Sequence, residues 1–181
     1  MAEKLDGQWL VFCFTLPAEP SALRVATWRS LKQLGAVALG TGVYTLPDRT
    51  ELREVLGQLA QRVNAGGGSA FLLCARGLCE QDEAMLAQRV AGSRADDYAQ
   101  VMKSARRFGE HVDRETSTQD FRFAEVESLE EELEKVRRQL QRVMDRDYFE
   151  NPAKEEAQAA VLAAESALKA YVELASERGD P

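Results

Sequence analysis

The sequence contains few of the residues that most often carry metal sites or nucleophilic catalysis. It has one histidine, His111, and three cysteines, Cys13, Cys74 and Cys79, among 181 residues. A single histidine excludes a histidine-rich metal site, and a serine–histidine–aspartate triad would have to use His111 alone. The number and spacing of the cysteines do not match a zinc site. We therefore expect no catalytic, metal-binding or cofactor-binding residues and predict that the chain is not an enzyme.

Long hydrophobic runs are also absent. No apolar segment approaches the roughly 18 residues that are needed to cross a bilayer, and the first residues, MAEKLDGQ, have no hydrophobic signal region. Free thiols suit a reducing compartment. We expect a cytoplasmic protein without membrane contact, and we interpret Cys13 and Cys74, which lie in apolar strand-like runs, as buried structural thiols.

The net charge of −7 is concentrated in the second half of the chain. Residues 1–90 hold nine basic and nine acidic side chains, whereas residues 91–181 hold 14 basic and 21 acidic ones. An acidic surface is a poor footprint for nonspecific binding of nucleic acid. Any DNA contact should therefore come from the neutral first half or from a symmetric dimer face.

The first half alternates between short strands and helices. The run QWLVFCFTL is a strand that is apolar on both faces, which indicates a sheet covered on both sides. A helix, a hairpin around Gly40-Thr41-Gly42, a second helix and the strand SAFLLCAR follow. This β-α-β-β-α-β order matches the ferredoxin-like arrangement. We predict an α+β fold, with a ferredoxin-like domain at residues 1–78 and a helical domain at residues 79–181.

The second half is almost entirely helical in pattern. We predict a short helix in DEAMLAQRVAG, a longer one at about residues 93–114, and a long antiparallel hairpin with coiled-coil-like seams. The seam of the first hairpin helix contains Val126, Leu129, Leu133, Val136, Leu140 and Val143. The seam of the second contains Ala157, Val161, Ala164, Leu168, Tyr171 and Ala175.

The last helix carries a second apolar stripe, so it needs two partners. That stripe contains Ala160, Ala163, Ala167, Ala170 and Leu174. It packs either inside a three-helix bundle, which we favour, or in a homodimer interface, which the spare sheet face could also provide. We expect a homodimer.

The residue at the end of the first strand bears on whether the chain could be a metal-dependent nuclease. A ferredoxin-like unit of this kind resembles small CRISPR-associated proteins, in which an aspartate at that strand end binds metal and its symmetry mate completes the site. Here Thr15 stands at that place, and a hydroxyl cannot supply the anionic oxygen that Mg²⁺ requires. A metal-dependent nuclease is therefore the less favoured alternative.

Two groups of basic residues are candidate contacts for an oxyanion or a DNA phosphate. Guanidinium groups match tetrahedral oxyanions in two directions, although such side chains are more often simply solvated. The candidates are Arg24, Arg29 and Lys32 on the first helix and Lys103, Arg106 and Arg107 in the middle of the chain.

Two segments together resemble the N-terminal domain of the ChrB family, which regulates bacterial chromate-resistance operons. They are WLVFCFTLPAEPSALRVATWRSLKQLGAVALGTGVYTLPD and ELEKVRRQLQRVMDRDYFENPAKEEAQAA. Family members generally carry a further C-terminal domain, and this sequence stops at Pro181 before one. We expect the surface of that domain to be absent or supplied by another polypeptide.

The resemblance implies a non-enzymatic regulatory module in the transcriptional control of chromate or oxyanion stress resistance. DNA and an oxyanion effector are then candidate partners. The alternative is a helical interaction scaffold that docks a protein partner without binding DNA.

Overall fold

The computed structural model describes residues 8–17, 21–119 and 121–178. The chain forms two compact units, Met1–Ser93 and Arg94–Pro181. The predicted boundary at residues 78 and 79 stays a prediction, because the helix that follows it contributes residues to both units. No helix in the described ranges is long and apolar enough to cross a membrane.

The first unit is built around a four-stranded antiparallel sheet. Its elements are β1 (Trp9–Thr15), α1 (Ser21–Gln33), β2 (Val37–Gly40), β3 (Val43–Pro47), α2 (Thr50–Ala65) and β4 (Ser69–Ala75). The strand order is β2-β3-β1-β4, so β1 lies between β3 and β4 and is antiparallel to both. The predicted α+β class and β-α-β-β-α-β order are confirmed.

One face of the sheet is covered by helices and forms the core of this unit. Leu10 and Phe12 of β1 are buried there together with Leu46, which is paired with Leu10 in the register. From α2, Leu56 and Leu59 are also buried, and this helix packs on β1 and β4. The apolar period-two pattern of β1 thus meets the apolar stripe of α2.

The opposite face of the sheet is only partly covered by the described residues. Trp9 is buried on this face and donates its indole N–H to Glu83 Oε2 at 2.6 Å. Along the edge strand β4, Phe71 and Leu73 are 61% and 52% exposed. The expectation of a sheet covered on both sides is therefore wrong along β4, where these two side chains on the face opposite α2 remain largely exposed.

The hairpin between β2 and β3 depends on glycine. Gly42 has a φ of +71°, and its carbonyl accepts from the Phe14 N–H at 2.8 Å. A Cβ at Gly42 would clash with the Phe14 carbonyl oxygen. The predicted hairpin at Gly40-Thr41-Gly42 is confirmed, and it brings its backbone against the end of β1.

Three helices follow: α3 (Glu80–Thr118), α4 (Phe123–Met144) and α5 (Ala153–Arg178). The prediction of two helices between residues 82 and 114 is wrong, because α3 runs unbroken past Gly92. One glycine inside a helix costs only about 1 kcal/mol. Val90 and Arg94, which precede and follow Gly92 by two residues, are both buried, and their packing favours a continuous helix.

The second unit is a three-helix bundle, as the second stripe of α5 suggested. From α3, Tyr98, Val101 and Phe108 are fully buried in a core that also contains residues of α4 and α5. The seam residues buried there are Leu129, Leu133, Val136 and Val143 of α4 and Ala157, Val161, Ala164, Leu168 and Tyr171 of α5. The predicted hairpin seams are therefore confirmed.

The hairpin of α4 and α5 is antiparallel. Arg137 contacts Glu165 at 2.6 Å, and Met144, seven residues later on α4, contacts Gln158, seven residues earlier on α5. Of the second stripe of α5, Ala160 and Ala167 pack on the core, whereas Ala163, Ala170 and Leu174 are exposed. The exposed part of the stripe leaves the predicted homodimer interface as a prediction.

Candidate functional sites

The three basic candidates of α1 do not converge on one ligand position. Arg24 Nη2 donates to the carbonyl oxygens of Leu16 and Pro17, at 3.0 and 2.7 Å. This side chain therefore holds the backbone where β1 ends. The Lys32 ammonium lies 5.2 Å from the centroid of the Trp28 ring, a cation–π contact. Arg29 is exposed on the same helix.

Next to Arg24, the end of the sheet and α1 enclose a pocket of about 620 Å³. Phe14 and Tyr44 stack in its wall with ring centroids 6.0 Å apart, and Trp28 contributes a third aromatic ring. This volume is in the usual range for small-molecule sites. The three aromatic residues are visible in the sequence, but they come close to one another only when β1, β3 and α1 pack together.

Thr15 lines the same pocket at the end of β1, where it is exposed and paired with Ser69 in the register. Within the described ranges, one group of potential metal ligands lies close together, and it is at His111 on α3 rather than at Thr15. The structure therefore offers the nuclease alternative no support at the strand end.

The expectation of buried thiols is wrong for Cys74, which is exposed on the edge strand β4. Its Sγ donates to Asp48 Oδ2 at 3.3 Å, and Arg53 binds the same carboxylate through two nitrogens, at 2.6 and 2.5 Å. The hydrogen bond to Asp48 raises the pKa of the Cys74 thiol. The Arg53 guanidinium holds the pKa of Asp48 below its usual value. A raised pKa lowers the fraction of thiolate, so this hydrogen bond disfavours Cys74 as a nucleophile.

The basic candidates of α3 all face solvent in the second unit. Lys103, Arg106 and Arg107 are exposed, whereas Ala105 and Phe108 between and beside them are buried. Residues three and four apart on a helix are neighbours on its surface. The three side chains thus form one patch, which we call the α3 basic stripe.

The RDYF segment of the sequence joins α4 to α5 and is tied to α3. Asp147 Oδ2 accepts hydrogen bonds from the Tyr98 hydroxyl at 3.0 Å and from the Asn151 N–H at 2.9 Å. Burial of Tyr98, together with this hydrogen bond, raises the pKa of its hydroxyl well above the usual 10.0. The motif therefore fixes the connection between α4 and α5 to α3. We call these contacts among Tyr98, Asp147 and Asn151 the RDYF latch.

Asp97 extends this latch by contacting two arginines. Its Oδ2 lies 3.0 Å from Arg94 Nη1 and 3.1 Å from Arg146 Nη2. Arg94 is only 3% exposed, and burial lowers the pKa of its guanidinium. A charge removed from water needs such a partner. Sequence reasoning did not identify this network, because nothing in the pattern around Arg94 marks it as buried.

A fourth cluster lies where α3 and α4 run side by side. His111 Nε2 is 3.5 Å from Glu115 Oε1 and 3.6 Å from Glu125 Oε1, and His111 Nδ1 is 2.8 Å from Glu132 Oε2. The nearest ligand atoms of His111, Glu115 and Glu125 lie within 4.8 Å of one another. The sequence predicts no catalytic or metal-binding role for His111. Its i,i+4 spacing to Glu115 is visible in the sequence, but the arrival of α4 is not.

Comparison with known proteins places most of the chain in one group. The family model described as "Protein ChrB, N-terminal" matches residues 24–178. Protein ChrB from Cupriavidus metallidurans CH34 is 34% identical over 97 residues, which cover 54% of this chain and 29% of that protein. The match thus covers less than a third of the relative's length. No solved structure matches the chain significantly.

Proposed function

This chain belongs to the ChrB N-terminal family, and we propose that it is a non-enzymatic module in the transcriptional control of chromate or oxyanion resistance. The family match, which extends from Arg24 through α5, is the observation that carries the proposal. It includes all six basic candidates and the RDYF latch.

Because the second half of the chain is acidic as a whole, we propose further that DNA phosphates are contacted on a symmetric dimer face through the α3 basic stripe. Its three side chains are exposed on a helix whose buried face is locked into the bundle core, so their spacing is rigid. On α1, by contrast, Arg24 is engaged by two carbonyl oxygens and Lys32 by an aromatic ring. Phosphate contacts supply most of the affinity of protein–DNA complexes and make it salt-dependent.

The test is binding of the purified chain to a fluorescent DNA fragment from upstream of its own operon, by anisotropy over a range of salt. We expect the triple variant K103Q/R106Q/R107Q to bind at least about tenfold more weakly. Its salt slope should fall by about two to three, since each lost phosphate contact lowers it by about 0.9.

The matched control is K135Q/R138Q/R142Q, which removes the same charge from exposed positions of α4. Lys135 and Arg138 are already paired with Glu131 and Glu134 at 3.9 and 3.8 Å. This variant should bind like the parent chain. Equal losses in both variants would overturn the role of the stripe, and no binding of the parent chain at low salt would overturn the DNA contact itself.

The proposed effector is an oxyanion. Because Arg24 and Lys32 make the contacts described above, Arg29 is the candidate on α1 for an oxyanion contact. Calorimetric titration with chromate should show saturable binding that weakens in Arg29→Gln or in the α3 triple variant. Heats no larger than those of dilution would exclude an effector site on this chain.

A helical interaction scaffold is the second candidate. Leu162 of α5 is 63% exposed, and Ala163, Ala170 and Leu174 are exposed on the same helix. Exposed apolar side chains on one helix favour association with another protein surface. Sedimentation analysis separates the candidates, since a dimer that Leu162→Glu converts to a monomer would assign this helix to self-association. If the parent chain and Leu162→Glu are both monomers, the exposed apolar side chains of α5 remain available to a different protein. That result would argue against a dimeric regulator.

A further inference from the structure

Three carboxylates from two helices of the bundle surround one imidazole. His111 and Glu115 stand one turn apart on α3, and Glu125 and Glu132 stand two turns apart on α4. These spacings place each pair on one face of its helix. The neighbouring residues Val112 and Leu129 are buried in the bundle core, so the two backbones that carry the cluster are held in place.

The hydrogen bond to Glu132 decides which ring nitrogen is available. An ionised carboxylate can only accept, so at 2.8 Å it orients the proton onto His111 Nδ1. In the neutral imidazole, Nε2 then carries the lone pair, and it lies 3.5 and 3.6 Å from the oxygens of Glu115 and Glu125. Three electron-rich atoms face one another there, and a cation between them would relieve that repulsion.

The separations match coordination better than hydrogen bonding. At 3.5 and 3.6 Å, the distances from Nε2 to the two carboxylate oxygens exceed those of a good N–H···O bond. A tetrahedral ion with bonds of about 2.1 Å would hold its ligand atoms about 3.4 Å apart. The two carboxylate oxygens lie within 4.8 Å of each other, so the carboxylates would have to rotate to bring all three atoms onto such an ion.

We propose that His111, Glu115 and Glu125 bind a divalent first-row transition metal ion, such as Zn²⁺ or Mn²⁺, with Glu132 orienting the imidazole. One nitrogen and two carboxylate oxygens form a donor set for such ions, and the lack of a thiolate disfavours soft ions such as Cu⁺. A carboxylate bonded to the second nitrogen of a ligating histidine is the usual outer partner in metal sites.

The side chains of His111, Glu115 and Glu125 are 20% to 25% exposed, so water has access to complete the coordination. The site lies entirely within the second unit and is independent of the proposed regulatory role. A bound ion would cross-link α3 to α4 and stabilise the bundle by an amount that grows with the logarithm of the metal concentration once this exceeds the dissociation constant.

The single histidine makes a direct test possible, because its imidazole resonances need no assignment. The untagged protein is titrated with ZnCl₂ and followed by long-range ¹H–¹⁵N NMR of the ring. We expect saturable binding of one ion, a large shift of Nε2, and an Nδ1 that stays protonated. Zinc bound at the exposed thiols Cys74 and Cys79 would leave the imidazole unchanged.

Variants divide the roles within the cluster. E115Q/E125Q should abolish the shift of Nε2 by zinc. E132Q should weaken zinc binding by about 10- to 100-fold, as loss of an outer partner usually does. E127Q/E130Q, at exposed positions of α4, is the matched control and should bind like the parent chain.

Two results would overturn the proposal. One is an imidazole that does not respond to excess zinc or manganese, which would make the cluster an ion-pair network around a protonated His111. The other is a zinc response that E115Q/E125Q leaves intact. The helical circular dichroism signal of each variant verifies that its bundle is folded.

Discussion

The two compact units place their charged side chains differently. In the first unit, Arg24 and Arg53 lie near the surface. Arg24 binds the carbonyl oxygens of Leu16 and Pro17, and Arg53 binds Asp48. In the second unit, Arg94 is almost fully buried against Asp97. The first unit thus leaves the guanidinium of its Arg53–Asp48 pair at the surface, whereas the second unit buries that of Arg94 at one end of the bundle.

The difference shows where substitutions should matter most. A charge near the surface keeps much of its hydration, so its partner contributes little to stability. A buried charge loses that hydration and depends on its partner. Both tryptophans, Trp9 and Trp28, lie in the first unit, so tryptophan fluorescence reports on that unit and helical circular dichroism mainly on the bundle.

The largest expected effect is on the bundle core. Phe108→Ala should lower the free energy of unfolding of the bundle by about 4 kcal/mol, because it leaves a cavity at a fully buried site. Phe123→Ala, at a position that is 81% exposed, is the control and should change it by less than about 0.5 kcal/mol. Urea unfolding followed by circular dichroism measures both. An equal shift of the tryptophan transition in Phe108→Ala would show that the units unfold together, which would break the comparison.

The second effect compares the two arginine–aspartate pairs directly. Asp97→Asn should cost about 3 kcal/mol, since it removes the charge that faces the buried Arg94. Asp48→Asn should cost less than about 1 kcal/mol: although the Asp48 side chain is only 7% exposed, the guanidinium that loses its partner, that of Arg53, is 55% exposed and stays hydrated. Urea unfolding with both probes gives the two values. Similar losses for the two variants would contradict the distinction between surface and buried charge.

The smallest effect concerns pH. Because the pKa of Tyr98 is raised in the folded bundle, its contribution to stability is complete below the unfolded value near 10.0 and is lost as pH rises beyond it. Tyr98→Phe should cost about 1 to 2 kcal/mol at neutral pH through the lost bond to Asp147. It should also lose stability less steeply than the parent above about pH 10.

Urea unfolding at neutral and alkaline pH measures this difference. Tyr44→Phe removes the same atom from the first unit and serves as the control, which should leave the pH dependence of the bundle unchanged. Parallel pH profiles for Tyr98→Phe and the parent chain would rule out a linkage through this hydroxyl.

Much of the architecture could be predicted because it depends on local patterns. The period-two run at Trp9–Thr15 and the seam of α4 each bury the face that their spacing indicated. The hairpin at Gly42 formed where a positive φ required glycine. Of the two segments that carry the family resemblance, the family model matches the first from Arg24 onward and the second completely. Such features depend only on residues that are close to one another in the sequence.

The candidate sites were less predictable because their chemistry depends on which elements meet. The basic residues of α1 could be named from the sequence, but Arg24 is taken up by the carbonyl oxygens at the end of β1. Cys74 looked buried in an apolar strand, yet that strand lies at the edge of the sheet. The continuity of α3 past Gly92 likewise depends on burial to either side.

The sequence by itself determined the order of strands and helices and their apolar faces, because hydrophobic periodicity and turn residues act over a few positions. Only the tertiary structure decided that Arg94 would be buried against Asp97 and that His111 would face carboxylates from another helix. These contacts join residues whose distance along the chain carries no signal, and packing alone brings them within reach.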